Sequence, residues 1–443
     1  MNEAIDLVVR GDRVLTPDGV RAAVVLVSGG RIVRVGGVDE AVPDAPVVQL
    51  ADDEVLIPGL VDTHVHINEP GRTEWEGFLT ATRAAAAGGV TTVLDMPLNS
   101  LPPTIDTAAL AVKQQAAAGK CHVDVGFWGG AVPASLGRLE ELWDAGVFGF
   151  KCFLLDSGVP DFPHLTASQL REAMLEIAGF GGRLIVHAED GGLIRSDDWH
   201  SARYPDFLDS RPQESETRAI STLIAAARDT GCRTHIVHLS AADALTDIAA
   251  ARADGVPLTV ETCPHYLTLA AEDIVDGATQ FKCCPPVRNR ANAELLWRAL
   301  ADGVIDFVVT DHSPSTPELK ALDDGDFGRA WGGISSLQLG LSLVWTGAHE
   351  RGLSLSDVIG WMSGGPARVM QVAGKGAIAA GNDADLVVFA PDEVWTVDAA
   401  ALHHRNAVSP YHGHELSGAV RATYLGGRPV NASGPAQGRF LSR

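Results

Sequence analysis

The hydrophobic pattern divides the chain into two similar ends and a different centre. Over residues 4–50, short apolar runs such as Leu7-Val8-Val9, Val24-Val25-Leu26-Val27 and Ile32-Val33 alternate with turns containing Gly and Asp. Such runs between turn residues predict small antiparallel β-structure. Residues 385–430 repeat the style, with Leu386-Val387-Val388-Phe389 and then Ala422-Thr423-Tyr424-Leu425 before Gly426-Gly427. Two β-rich flanks, residues 1–55 and 371–443, predict one small β-sandwich assembled from both ends of the chain.

Residues 56–370 alternate differently. Strand-like apolar runs fall at 60–67, 91–96, 123–128, 148–154, 183–187, 234–239, 258–262 and 306–310. Alanine- and leucine-rich stretches of helical character separate them, for example at 78–87, 170–178, 217–228 and 241–252. Eight strands, each followed by helix-like sequence, predict an α/β fold of the (β/α)8 TIM-type barrel kind. A doubly wound sheet would also alternate, but no Gly-rich dinucleotide fingerprint follows the first strand.

Composition narrows the partners. A chain of 443 residues with 46% hydrophobic and 20% charged residues suits a large barrel with an accessory domain. Its formal charge of −22 argues against nucleic acid and against an anionic membrane, both of which call for clustered Lys and Arg. No uninterrupted apolar run reaches the length of a bilayer span. The opening Met1-Asn2-Glu3-Ala4-Ile5-Asp6 is acidic and lacks the pattern of a secretory signal. Six cysteines, with Cys283 and Cys284 adjacent, suit reduced thiols, so a cytoplasmic location is expected.

The chemistry lies where polar residues close apolar strands. The first barrel strand ends Asp62-Thr63-His64-Val65-His66, and alternate residues share a face, so His64 and His66 can grip one metal ion. A single His-x-His pair is a weak signal, because a strand-end histidine is more often a hydrogen-bonded core residue. Here the placement recurs: His187 ends Leu184-Ile185-Val186-His187, His238 ends His235-Ile236-Val237-His238, and Asp311 follows Phe307-Val308-Val309-Thr310. Four histidines and a carboxylate at one barrel mouth point to metal rather than to packing.

Lys151 lies in Phe148-Gly149-Phe150-Lys151-Cys152-Phe153, almost without polar company. A lysine there could snorkel outward. Inside the mouth, an ammonium beside divalent cations would be repelled, and burial lowers the amine's pKa. The neutral amine can add carbon dioxide to give N6-carboxylysine, an anionic carbamate with two oxygens for two metals. Two divalent ions less carbamate, Asp311 and a bridging hydroxide leave a net charge of about +1 to polarise a carbonyl.

At this point the chain resembles the cyclic amidohydrolases of the amidohydrolase superfamily, over essentially its whole length. The motifs that carry the resemblance include Gly59 to Arg72 (GLVDTHVHINEPGR), Asp95-Met96-Pro97-Leu98-Asn99-Ser100, Glu261-Thr262-Cys263-Pro264-His265-Tyr266, Lys282-Cys283-Cys284-Pro285-Pro286 and Thr310-Asp311-His312-Ser313-Pro314. The resemblance implies one metal on His64, His66, Lys151 and Asp311, and a second on Lys151, His187 and His238. It implies hydrolytic opening of a hydantoin ring, that of allantoin, by a metal-bridging hydroxide, with Asp311 as general base. Zinc is the first choice of metal, with cobalt, iron and manganese as alternatives. Relatives are commonly tetramers, so a homo-oligomer acting on a small molecule is expected.

Substrate-facing positions expected by the same resemblance are Cys284, Ser313 and Gly332. His265 is read as supporting the site or facing substrate, and a structural role is equally open. Asn68 carries the substrate argument. Dihydroorotase-like sequences have an arginine there to meet a substrate carboxylate, whereas asparagine suits a neutral ring. Dihydropyrimidinase- and hydantoinase-like sequences usually lack the Glu69-Pro70-Gly71-Arg72 run. Other cyclic amidases, and a non-catalytic scaffold on the same fold, are the rival readings.

Overall fold

The computed structural model describes residues 4–42, 44–195 and 199–443. Both flanks of the chain join one eight-stranded sheet. Leu7–Thr16 pairs antiparallel with Gly19–Ser28, which pairs with Arg31–Gly36. The returning chain enters the same sheet where Leu386–Thr396 runs antiparallel to Val55–Pro58, with Leu386 opposite Pro58 and Val388 opposite Leu56. Glu415–Leu425 extends this edge. Val9, Val25, Leu56, Leu386 and Val388 form a buried apolar cluster of their own, and its burial fixes the register of both ends.

The centre is the expected barrel. Its parallel strands are Leu60–Val65, Val90–Asp95, Asp124–Phe127, Phe150–Phe153, Arg183–His187, Arg233–Ile236, Leu258–Thr262 and Phe307–Val308. The two-residue strand Gly129–Gly130, just beyond the third strand in sequence, pairs in parallel with the fourth. The ring closes where Val65 bridges His312 in parallel and His66 N–H donates to His312 O at 2.8 Å. Intervening helices include Phe78–Ala87, Ala167–Gly179, Gln213–Thr230 and Leu245–Ala253. The capping box of Thr166 and Gln169 starts the second of these, and Gly231, left-handed at φ 66°, stops the third.

Inward-facing apolar residues fill the barrel below its mouth. Ile185 lies two residues before His187 on one strand, and it packs in a cluster with Leu94, Trp128, Phe148 and Phe307. The barrel is therefore a packed core with chemistry only at one end. At the other end, the Lys375 ammonium, 1% exposed, contacts Asp124 at 2.7 Å, Asp385 at 2.6 Å and Asp383 at 3.0 Å. Arg439 adds a second cation, 2.6 Å from Asp383, and Arg31 a third, 3.7 Å from the same carboxylate. The three carboxylates lie close enough for a metal ion, but these cations already match them. The cluster ties the third barrel strand to the sheet and to the C-terminal segment.

Candidate metal centre

All six expected ligands, His64, His66, Lys151, His187, His238 and Asp311, line one cavity of about 540 Å³. A more open depression of about 460 Å³ near Glu74, His404 and Arg405 contains none of them. Within the cavity, Nε2 of His64 and of His66 lie 3.1 and 3.4 Å from Oδ1 of Asp311. His187 and His238 have ring centroids 4.5 Å apart, and His238 is 5.5 Å from His64. The Lys151 ammonium lies 5.1 Å above the Phe153 ring, which stacks on His187.

The ends of the strands deliver these groups in different ways. Lys151 and His187 are within their strands, whereas His238 and Asp311 follow theirs with φ of 40° and 44°. Left-handed backbone is disfavoured for such residues and persists only where surrounding contacts impose it. Asp62 supplies part of that constraint at Asp311: its Oδ2 accepts from Thr310 N–H at 3.1 Å and from the Thr310 hydroxyl at 2.5 Å.

Two buried glutamates complete the arrangement, and neither was among the expected site residues. Glu261 Oε1 contacts His64 Nδ1 at 2.5 Å, and its Oε2 contacts His235 Nε2 at 3.0 Å. Glu189 Oε2 accepts from Arg211 at 2.7 Å and contacts His187 Nε2 at 2.7 Å. A carboxylate on one ring nitrogen fixes the tautomer and leaves the other nitrogen free to ligate. The placement of Glu261 on a strand and of Glu189 two residues beyond His187 was a readable signal.

The electrostatics belong to a site that expects cations. Burial lowers the Lys151 pKa to about 8 and the His66 pKa to about 4. Burial also lowers His187 and takes His238 well below its ordinary value. His64 goes the other way: burial opposes its charge, but Asp311 and Glu261 raise it to about 9. Asp311, although buried, is held well below the usual carboxylate range by His64 and His66. Nδ1 of His66 and of His238 are buried without a hydrogen-bond partner, and His64 Nε2 faces Asp311 without hydrogen-bond geometry. Two imidazole Nε2 atoms turned to one carboxylate, that of His64 without a hydrogen-bond partner, fit a metal, and His64, His66 and Asp311 place donor atoms within 4.8 Å of one another.

The other expected residues divide. Cys284, Ser313 and Gly332 line the cavity. Asn68 does not: it is fully buried, and its Nδ2 donates to Pro314 O at 3.3 Å. The strand ends at Val65, and Ile67 N–H turns to Asp95 Oδ1, so the alternation that aimed Asn68 at the ring has already stopped. His265 is not on the cavity lining but adjoins the site, with a ring nitrogen within 4.8 Å of a carboxylate oxygen of Asp311 and of Cys263 Sγ. It is fully buried on the short helix Pro264–Thr268, beyond the seventh strand, and both ring nitrogens lack partners. Asn99, not singled out from the sequence, lines the cavity instead.

Comparison with known proteins agrees with this geometry. Residues 55–430 match the model of the amidohydrolase family. The chain is 57% identical, over 99% of its own length and 99% of the relative, to an allantoinase of Streptomyces avermitilis. It is 43% identical to an allantoinase of Arabidopsis thaliana, covering 95% of this chain and 87% of that one. Among solved structures, an L-hydantoinase (dihydropyrimidinase) from Arthrobacter aurescens superposes with a TM-score of 0.93 at 28% identity, covering 99% of this chain and all of that one.

Proposed function

The chain belongs to the amidohydrolase family, and from that premise we propose that it hydrolyses the cyclic amide of allantoin to allantoate. The observation that carries the reading is the full-length likeness to proteins named allantoinase, in a chain whose six ligand positions converge on one cavity. The likeness to hydantoinases, at lower identity, supports the wider class of five- and six-membered cyclic amides.

In this reading His64, His66, Lys151 and Asp311 hold one divalent ion, and Lys151, His187 and His238 hold a second. The ions, zinc first among the candidates, would polarise the ring carbonyl and acidify water. Lys151 would bind as the N6-carboxy form. Its lowered pKa supports this, because only the neutral amine adds carbon dioxide. Asp311 is ionised at neutral pH, the form able to take a proton. It would accept the proton of the attacking water and return it to the ring nitrogen as the C–N bond breaks. Glu261 and Glu189 keep His64 and His187 turned into the cavity. Backbone around Cys284, Ser313 and Gly332 would hydrogen-bond the cyclic imide.

Among the described residues, no helix is long and apolar enough to cross a membrane. We further propose a cytoplasmic homo-oligomer, a tetramer by analogy with relatives. Metal analysis and turnover on allantoin test the functional reading together. About two divalent ions per chain, and activity lost to a chelator and restored by added metal, are expected. Full activity in metal-free protein would overturn it.

A further inference from the structure

Two residues just beyond the seventh barrel strand, Cys263 and His265, stand outside the six-ligand centre. The strand Leu258–Thr262 carries Glu261 to His64, and Cys263 then caps the short helix Pro264–Thr268. Tyr266 N–H donates to Cys263 O at 3.1 Å, and the Tyr266 hydroxyl donates to Pro285 O at 2.8 Å, which ties the helix to the next loop. The Tyr266 ring meets the His265 imidazole edge-on, with centroids 4.2 Å apart. That contact holds the imidazole without engaging its nitrogens.

Both side chains keep their donor atoms uncommitted. Cys263 is a free thiol and wholly buried. His265 is wholly buried too, and neither ring nitrogen has a hydrogen-bond partner among the described residues. His235 and His312, by contrast, are engaged at both nitrogens, by Thr259 and Glu261 and by Ser336 N–H and Glu76. Burying an imidazole with both nitrogens unpaired costs free energy that a ligand recovers. Cys263 Sγ, a ring nitrogen of His265 and a carboxylate oxygen of Asp311 all lie within 4.8 Å of one another. A tetrahedral zinc ion holds such donors roughly 3.3–3.6 Å apart, so small side-chain rotations close them on one ion. Asp311 lines the cavity, and its Oδ1 is turned to His64 and His66. A carboxylate has a second oxygen, so Asp311 can bridge two cations.

We propose that Cys263, His265 and Asp311 form a third metal site, selective for thiophilic divalent ions and inhibitory when filled. Thiolate sulfur favours zinc and cadmium over magnesium, calcium or manganese. The ion reaches the site from the cavity by way of Asp311. Cys263 releases its thiol proton to solvent as the sulfur–metal bond forms, and water supplies the fourth ligand. The thiolate and the shared carboxylate offset the charge of a cation added near the other two. With its second oxygen ligated, Asp311 has no basic oxygen left to take a proton from water, so the inhibition rests on its role in proton transfer. The site itself rests only on its donors, and unlike the six-ligand centre it contains sulfur.

Cadmium is the probe. Cadmium-loaded protein is titrated with further Cd2+ while bound metal and ultraviolet absorption are followed. The first two ions should bind without sulfur-to-cadmium charge transfer, because their ligands contain no sulfur, and a third, weaker ion should bring the band. Cys263→Ala should lose the band and the third ion while keeping the first two. Cys263→Ser, closer in size, makes the same comparison with a hydroxyl that binds cadmium poorly. His265→Gln should weaken the third ion alone. On zinc-loaded enzyme, excess zinc should cut wild-type allantoin turnover by about 100-fold at saturation, the worth of a general base, and leave both Cys263 variants active. A wild-type titration without the band would overturn the site and leave the two-ion hydrolase standing, as would a band that survives in both Cys263 variants. Equal zinc inhibition of wild type and variants would overturn the inhibitory role.

Discussion

Glu261 Oε1 lies 2.5 Å from Nδ1 of His64, and both residues are almost wholly buried. The pair fixes which His64 nitrogen faces Asp311. His64 also holds the glutamate ionised, drawing its pKa down to about 2 despite burial. Glu261→Gln keeps the shape and removes the charge. Metal affinity should fall by about 10- to 100-fold, as for other carboxylates that support a ligating histidine. Metal titration of purified variant and wild type checks it; equal affinities would deny Glu261 that role.

Lys151 should carry carbon dioxide. With a pKa near 8, its amine is neutral at a pH where an ordinary lysine, near 10.5, is protonated. The neutral fraction rises as pH climbs through 8, so carbamate formed on metal-free protein at fixed dissolved carbon dioxide should rise over the same range. Carbon-13-labelled bicarbonate and NMR would read it. Lys151→Ala should lose metal and turnover, and short carboxylic acids should restore part of both. Wild-type metal content in that variant would exclude a ligand role for Lys151.

Much of the barrel was legible because its signals are local. Strands buried on both faces leave continuous apolar runs such as Leu184-Ile185-Val186, and the ligating histidines stand at their ends. The eighth strand was shorter than its run: only Phe307–Val308 pairs, since Thr310 N–H turns to Asp62 and Asp311 to left-handed backbone. Asn68 was misread for a related reason. Period-two alternation holds only while the chain is a strand, and that strand had ended at Val65. Glu261 escaped notice because its partners His64 and His235 are distant in sequence, and Glu189 because it stands beyond the end of its strand, although His187 is only two residues away.

Asp311→Asn should keep some metal, because the amide oxygen can still ligate, and should lose turnover by about two to four orders of magnitude. The amide has no basic oxygen to take the proton. Steady-state kinetics with parallel metal analysis separates the two effects, and near-normal turnover would remove Asp311 from proton transfer.

Lys375 should matter to stability rather than to catalysis. Lys375→Met leaves Asp124, Asp383 and Asp385 buried together with only the more exposed Arg439 and Arg31 to offset them. Breaking a buried ion cluster by removing one partner costs about 3–5 kcal/mol. The carboxylates raise the Lys375 pKa, so the wild-type contribution is fully present below about 10.5 and is lost only at more alkaline pH. Denaturant unfolding at neutral pH should show the loss while metal content per folded chain stays constant. Unchanged stability would mean that Arg439 and Arg31 hold the junction without Lys375.

The most direct test of the central claim compares kcat/KM for allantoin, dihydroorotate and dihydrouracil on the metal-loaded enzyme. A pocket built around hydrogen bonds to one ring rejects analogues that leave its polar groups unpaired, by roughly 10⁴ or more. Allantoin should lead by a margin of that order. A preference for dihydrouracil or dihydroorotate would contradict the allantoin assignment and leave the metal centre standing.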